Sequence, residues 1–600
     1  MDNLPFSELL TRFLKDNSIS RKAFAEQIGV SALTVVRWCS GKAVPSRKHE
    51  VRINQLIGNI ADSGPSKSLY EHQLPLAVTD FRALRQSGMI YVDKTAQIFE
   101  FAKDVGCFFI NRPRRFGKSL LVSTLKYLFG SGLRDFRGLA IERLWKEENT
   151  YPVVDLSLSS LADIRDRQSF EAKLMSIVHS GFSGLGFVYQ RDSVSDYWDQ
   201  LKVWLNEQPR LSLVLLIDEY DAGLTSNIDN PELFAEIRPA MQSFFNIIKE
   251  CNGAFRLCFM TGITKYTGAG SLSPFNNFED LSSQPAFSDF IGYTADEIRE
   301  NFRPYLARAA AVLGETEESV LENMGIHYDG YCFDFEMARH VFCPWTVLQF
   351  LKNPQNGYLN YWYRSAGQPR ALLNYIMATT FSLPDTFDSE MMIPEQSLYD
   401  MRPYKKQQPA IMLFHNGYLT VKKRESAGML TLGYPNEEVR ASLGMLYVNA
   451  AIGFDIWDAG TFTPATDALA SYSSSQLVDY LNRFFNSVDY DHYPLTSEGA
   501  VRGLIKAFLL SARVRTSSEE SSAKGRSDLE AYVPNRHWVF ELKYTEKKAD
   551  ESALLQKAKD QINDREYGFS LDTRRLIRLA AVFNGKERKI TAFAEVPLPS

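Results

Sequence analysis

Phe108-Phe109-Ile110-Asn111-Arg112-Pro113-Arg114-Arg115-Phe116-Gly117-Lys118-Ser119 decides how the first half of this chain folds. Phe108, Phe109 and Ile110 suit a buried strand, and Leu121, Leu125 and Leu128 mark one face of a helix after Ser119. In a strand, loop and helix of this kind, backbone N–H groups at the helix start cradle phosphates. Lys118 is then placed for the β- and γ-phosphates of ATP and Ser119 for Mg²⁺, with Arg114, Arg115, Phe116 and Gly117 in the loop. Arg112 departs from G-x-x-x-x-G-K-[ST], where the first glycine would stand.

Downstream, the apolar run Leu213 to Ile217 ends in Asp218-Glu219. Asp218 is expected to organise Mg²⁺ and Glu219 to polarise the attacking water. Met260-Thr261-Gly262-Ile263-Thr264-Lys265 ends the next apolar strand, where AAA-type ATPases place a polar γ-phosphate sensor, so Thr261 and Thr264 are candidates. Arg238, Arg299 and Arg370 are possible arginine fingers without a feature that selects one. The apolar runs Phe108 to Ile110, Val153 to Leu158, Leu213 to Ile217 and Leu257 to Met260 alternate with helical stretches, which implies a parallel α/β sheet.

A second chemical pattern lies near the end. Gly525-Arg526-Ser527-Asp528 precedes Trp538-Val539-Phe540-Glu541-Leu542-Lys543, an alternating run that reads as a strand. Glu541 and Lys543 then share a face while Trp538, Phe540 and Leu542 take the other. Asp528 and Glu541 form a carboxylate pair for Mg²⁺, and Lys543 is placed to orient or deprotonate a water. Glu498 opens a helix-like stretch through Val501, Leu504, Ile505 and Phe508 and adds a third acid; Gln561 and Tyr567 are candidate substrate contacts. The competing reading of Glu541-Leu542-Lys543 is an ion pair on an exposed sheet face.

The first residues are of another kind. Met1 to Gly58 hold nine Lys/Arg against five Asp/Glu, whereas the whole chain of 600 residues has a net charge of −5, so any attraction for nucleic acid is local. Arg21 to Ser31 resembles the helix-turn-helix of phage-repressor-type DNA-binding domains, with Ser31, Thr34 and Arg37 on the helix that would read DNA. A small helical protein-interaction domain is the alternative. The six cysteines include no Cys-x-x-Cys pair and fit a reducing compartment. Cys332, His340 and Cys343, with His327, are close enough in sequence to raise a zinc site, although not in a common finger spacing. No signal peptide and no run of ~18 apolar residues is visible. A cytoplasmic protein without membrane attachment is expected.

Asp62 to Ser68 is small, polar and aperiodic and reads as a linker. Ile298 to Asn374 is helical in pattern, and Ala410 to Gly433 suggests a winged-helix or β-containing connector. Ser517 to Lys524 reads as a loop delivering the chain to Asp528.

From about Leu74 onward the chain resembles bacterial and archaeal proteins that join an AAA-like ATPase to a PD-(D/E)XK nuclease-superfamily domain. The matching text includes Leu76 to Phe81, Tyr91 to Thr95, Arg112 to Ser119, Ile217 to Asp221, Tyr328 to Tyr331, Asn416 to Thr420 and Gly433 to Val439. In that family the phosphate loop also lacks the first glycine, and its nuclease motif falls on Asp528, Glu541 and Lys543. The resemblance implies a multidomain α/β protein from about residue 73 onward; the all-α helix-turn-helix domain at 1–60 and the linker at 61–72 are additional to that pattern. An AAA-like P-loop core would follow at 73–300, then a helical lid at 301–376, a winged-helix-like connector at 377–437 and a nuclease domain at 438–600. It further implies an ATP-regulated, Mg²⁺-dependent nuclease that oligomerises through the ATPase domain, while the added helix-turn-helix suggests DNA as the target, with self-regulation or defence against invading DNA as the setting. The alternative is a nucleotide-switched DNA-binding regulator or scaffold with an inactive nuclease-like domain.

Overall fold

The computed structural model describes residues 72–598 apart from 194, 267–276, 366–371, 373–389, 400–407, 427, 453–463, 492, 518–520, 523–524 and 569–572, together with 14, 25, 30 and 32–39. The chain divides into two compact units, Met1–Leu74 and Pro75–Ser600. In the first, a helix Ala32–Cys39 buries Val35 and Trp38 and exposes Val36 and Arg37. Thr34 and Arg37 of the expected DNA-reading helix lie on it; Ser31 and most of the remaining helix-turn-helix lie outside the described residues.

The second unit holds two five-stranded sheets and a three-stranded one with the helices between them. Its first sheet is built from β1 (Gly106–Asn111), β2 (Val153–Ser157), β3 (Leu213–Asp218), β4 (Phe255–Gly262) and β5 (Glu279–Asp280), in the order β2-β3-β4-β1-β5. All neighbours are parallel. Every residue of β3 and β4 is buried, the pattern of strands covered on both faces. Helices α1 (Lys118–Ser131), α2 (Arg167–Ser183), α3 (Tyr197–Asn206) and α4 (Pro231–Glu250) supply the cover. β4 stands between β1 and β3, so the strand ends carrying Arg112, Asp218 and Thr261 come together at one edge.

The expected helical segment comprises α5 (Arg303–Leu313), α6 (Glu317–Tyr328), α7 (Pro344–Lys352) and α8 (Tyr361–Ser365). The connector is a three-stranded antiparallel sheet of β6 (Met391–Pro394), β7 (Thr420–Arg424) and β8 (Met429–Gly433), with α9 (Pro409–His415) between its first two strands.

Three helices follow, α10 (Glu437–Ile452), α11 (Ala465–Ser471) and α12 (Ser474–Phe485). Then α13 (Glu498–Ser511) leads into β9 (Arg515–Ser517), and a short pairing of β10 (Ser521–Ser522) with β11 (Gly525–Arg526) occupies the segment expected to be a loop. The second sheet adds β12 (Leu529–Val533), β13 (Arg536–Thr545), β14 (Arg575–Asn584) and β15 (Lys589–Glu595), in the order β15-β14-β13-β12-β9. Only β13 and β14 are parallel, joined through α14 (Glu551–Asp564). Trp538, Phe540 and Leu542 face the main core, whereas Val539 packs with Ala558 and Ile562 of α14.

Candidate active sites

Lys118 opens α1, with Gly117 before it at φ 108, a conformation that glycine takes without Cβ strain. The Lys118 ammonium is buried and donates to the carbonyls of Arg112 and Pro113, both at 2.9 Å. Burial pulls its pKa down, against the attraction of Asp218. Ser119 Oγ donates to Asp218 Oδ2 at 2.6 Å, so the expected Mg²⁺ pair is assembled from residues far apart in sequence. Asp218 and Glu219 are both raised above the ordinary carboxylate range by burial, Glu219 also by its acidic neighbour. Lys118, Ser119 and Glu219 border a cavity of about 620 Å³ whose walls also include Tyr91, Lys94 and Trp345. The volume and donor set fit a nucleoside triphosphate.

Arg112 explains the missing glycine. Its guanidinium is buried, bonds the carbonyls of Asn111, Ser282 and Phe287 at 2.9 Å, and lies 4.2 Å from the Phe333 ring centroid. Burial lowers its pKa to about 9. The side chain holds the loop entrance from behind, a task glycine cannot perform. Phe116 is likewise an anchor, edge-on to Tyr331 and Phe333 at 4.8 and 5.3 Å, which leaves its backbone for the nucleotide. Arg114 and Arg115 are exposed at the cavity, with Arg115 over Trp345 at 4.8 Å.

The sensor expectation needs correction. Thr264 is buried, and its N–H donates to Asp221 Oδ2 at 2.7 Å, while Ile263 borders the cavity. Tyr220 donates to the Thr264 carbonyl at 2.7 Å. Thus the residues just after Asp218-Glu219 fasten the end of β4 through the Thr264 backbone, and the buried Thr264 side chain is not among those that line the cavity. Thr261 Oγ1 is buried without a hydrogen-bond partner among the described residues. Arg299 is engaged with Asp296 and Glu318 at the surface, and Arg370 lies outside the described residues.

The residues whose proximity in sequence raised zinc turn to other partners. Cys332 Sγ turns to Asp334 and Cys343 Sγ to the carbonyl of Arg115, while His327 stacks on Tyr358 at 5.1 Å. Among the described residues no group of three His, Cys, Asp or Glu side chains is already gathered for a metal.

At the second site, basic side chains stand among the acids. Glu541 is fully buried; its Oε1 accepts from Lys543 Nζ at 2.7 Å, and its Oε2 has no hydrogen-bond partner among the described residues. Lys543 also lies 3.5 Å from Glu498. Asp528 accepts from Arg502 Nη1 and from the Leu542 N–H, each at 2.8 Å. Burial, then the nearby Asp528, raises Glu541 to about 7. Burial opposes the Lys543 charge, but its bond to Glu541 together with the charges of Glu541, Asp528 and Glu498 raises its pKa. The exposed ion-pair reading of Glu541-Leu542-Lys543 is therefore excluded. An unpartnered buried carboxylate oxygen beside a second carboxylate fits a hard cation such as Mg²⁺.

Asp528, Glu541, Lys543 and Glu498 are thus brought together as expected. Tyr567 is buried in the cluster under α14, and Gln561 Nε2 lies 3.5 Å from its hydroxyl, so Tyr567 is a packing residue and no substrate contact. Arg502 escaped sequence reasoning, although its position one helical turn after Glu498 was a usable signal.

With both sites built, comparison with known proteins agrees with the two halves. Residues 75–270 match the family model described as "Predicted AAA-ATPase", and residues 496–593 match that of the PD-(D/E)XK nuclease superfamily. The chain carries an AAA-ATPase-like domain and a PD-(D/E)XK nuclease-like domain. The first match begins at the cavity-lining Pro75, and the second runs from just before α13 into β15. The "Uncharacterized protein in vnfD 5'region" of Azotobacter chroococcum mcd 1 is 25% identical over 496 residues, covering 81% of this chain and 92% of that protein. Among the described residues no helix is long and apolar enough to cross a membrane.

Proposed function

We propose that this protein is an ATP-controlled, Mg²⁺-dependent nuclease that hydrolyses phosphodiester bonds in DNA. The observation that carries the reading is the group Asp528, Glu541, Lys543 and Glu498, with one oxygen of buried Glu541 left without a partner among the described residues. A bound divalent ion supplies a water of lowered pKa and neutralises charge developing on the phosphate. Asp528 and Glu541 hold that ion, and Lys543 orients the water or takes part in its deprotonation.

Control by ATP is supported by a chain of contacts between the sites. Lys118 holds the Pro113 carbonyl, and phosphates at the loop compete for the same ammonium. Pro113 packs on Gly417 so closely that a Cβ there would lie 2.7 Å from the proline ring, with Trp362 at 3.3 Å. The N–H groups of Tyr361 and Trp362 donate to Glu438 of α10 at 2.6 and 2.8 Å. α10 crosses α13 at Gly444, where a Cβ would meet the Ala507 carbonyl at 2.8 Å, and α13 carries Glu498 and Arg502.

Purified full-length protein with ATP and Mg²⁺ is to be offered supercoiled, linear and single-stranded DNA, and RNA. Cutting that disappears in Asp528→Ala and Lys543→Ala is expected; undiminished cutting by both variants sinks the assignment. The ion pairs of Lys543 and Arg502 favour a second reading, a nucleotide-switched DNA-binding regulator with an inactive nuclease-like domain. Tight DNA binding without cutting under any metal or nucleotide condition selects it. Defence against invading DNA is the setting we favour for the active form.

A further inference from the structure

We propose that Arg515, Tyr532 and Arg574 form a phosphodiester-binding site at one end of the second sheet, holding a nucleic-acid strand beside the acid pair. Its role in cleavage rests on the nuclease reading; its binding does not. Arg515 on β9 and Arg574 just before β14 place their guanidinium carbons 5.3 and 5.0 Å from the centroid of one ring, that of Tyr532. His537 stacks on the same ring at 4.3 Å and 18°.

The ring is held by a built network. Tyr532 OH donates to Glu530 Oε2 at 2.7 Å, His537 Nε2 lies 2.8 Å from that oxygen, and Ser527 Oγ donates to Glu530 Oε1 at 2.7 Å. These three bonds to one buried carboxyl group fix the ring from beneath. Ser527 adjoins Asp528, which ties the platform to the acid pair.

Geometry points the platform at the reaction. Tyr532 and Asp528 are four residues apart along one strand direction and share a face, so they lie about 13 Å apart. Glu541 sits one step beyond the Leu529–Phe540 pair, opposite Asp528. Stacking uses the guanidinium face, while its N–H edge matches the oxygens of a phosphate. With His537 and two guanidinium groups over the ring, the ring is not offered for base stacking, so binding is to the backbone and independent of base sequence.

The test measures affinity of the full chain for fluorescein-labelled single-stranded DNA, duplex DNA and RNA in EDTA across a salt series. Arg515→Gln/Arg574→Gln is expected to weaken binding about tenfold or more at low salt and to flatten the log–log salt slope by about 1.4 to 1.8, two contacts' worth. In Mg²⁺ the KM for cleavage is expected to rise with kcat changed less than about twofold. ATP hydrolysis and melting temperature report folding; if the double variant fails there, Arg515→Gln alone, on an exposed side chain, should lose half of the slope change. Any contribution of the first unit is common to all variants. Loss for DNA and RNA alike identifies the shared backbone, and loss for one alone identifies its source. Unchanged affinity, slope and KM overturn the proposal. Wild-type protein that cuts nothing, with affinity still lost in the variant, removes the nuclease reading and leaves this site standing.

Discussion

The two sites park their lysines differently. At the nucleotide loop, Lys118 rests on the neutral carbonyls of Arg112 and Pro113, and the neighbouring wall is an open cavity. At the nuclease-like site, Lys543 rests on Glu541 and Arg502 on Asp528, the carboxylates expected to take the metal. A carbonyl is displaced by phosphate with little electrostatic loss, whereas separating a half-buried cation from a carboxylate costs several times more. The first site is set to receive its ligand; the second requires its own cations to yield. That asymmetry suits a protein in which nucleotide binding precedes and permits cleavage.

The largest expected effect separates the sites outright. Asp528→Ala and Lys543→Ala should each lower DNA cleavage by at least about 10³-fold, as for residues acting as one catalytic unit, while ATP hydrolysis stays within about twofold. A parallel fall in hydrolysis would mean that the two sites are one cooperative machine. Next, Lys118→Ala should lower ATP hydrolysis by about 10²-fold and leave residual cleavage indifferent to added ATP, measured on the same preparation. Retained ATP dependence would place control elsewhere.

A smaller effect tests whether the second site is closed. Arg502→Gln removes a charge-assisted bond of about 1.5 to 3 kcal/mol from Asp528, so Mn²⁺ affinity by calorimetry should rise about tenfold. A fall would make Arg502 a support of the metal geometry rather than a competitor.

The smallest effect concerns the connection. Burial raises the Glu438 carboxyl from 4.5 to about 8 in the folded protein. The folded state therefore keeps a proton that the unfolded state loses, so this contribution to stability is full below about 4.5 and is lost as pH rises to about 8. Glu438→Gln removes that dependence, and the melting temperature of wild type relative to the variant should decline by a few degrees across this interval. A constant difference would show that the carboxyl is already ionised in the fold.

Much of both sites is legible along the chain because their motifs are local. Phe108 to Ser119 spells strand, loop and helix in consecutive residues, and the alternation around Glu541 places Lys543 on its face. The errors fall where a side chain's partner is remote. Thr264 has the right position for a sensor, yet Asp221 captures its N–H. Tyr567 has the chemistry of a substrate contact, yet α14 folds it under Val539. Cys332, His340 and Cys343 are close in sequence, but the thiols of Cys332 and Cys343 turn to different acceptors.

The sequence by itself determined the two chemistries, their order and the strands that bear them, since hydrophobic period and short motif spacing are properties of neighbouring residues. Only the tertiary structure decided that Arg112 replaces a glycine as a buried clamp, that Arg502 and Lys543 stand on the carboxylates expected to take the metal, and that Pro113 reaches α13 through Gly417, Trp362 and Glu438. Those facts depend on which distant groups share a low-dielectric space, where an unmet charge or hydrogen bond is costly enough to select one partner over another.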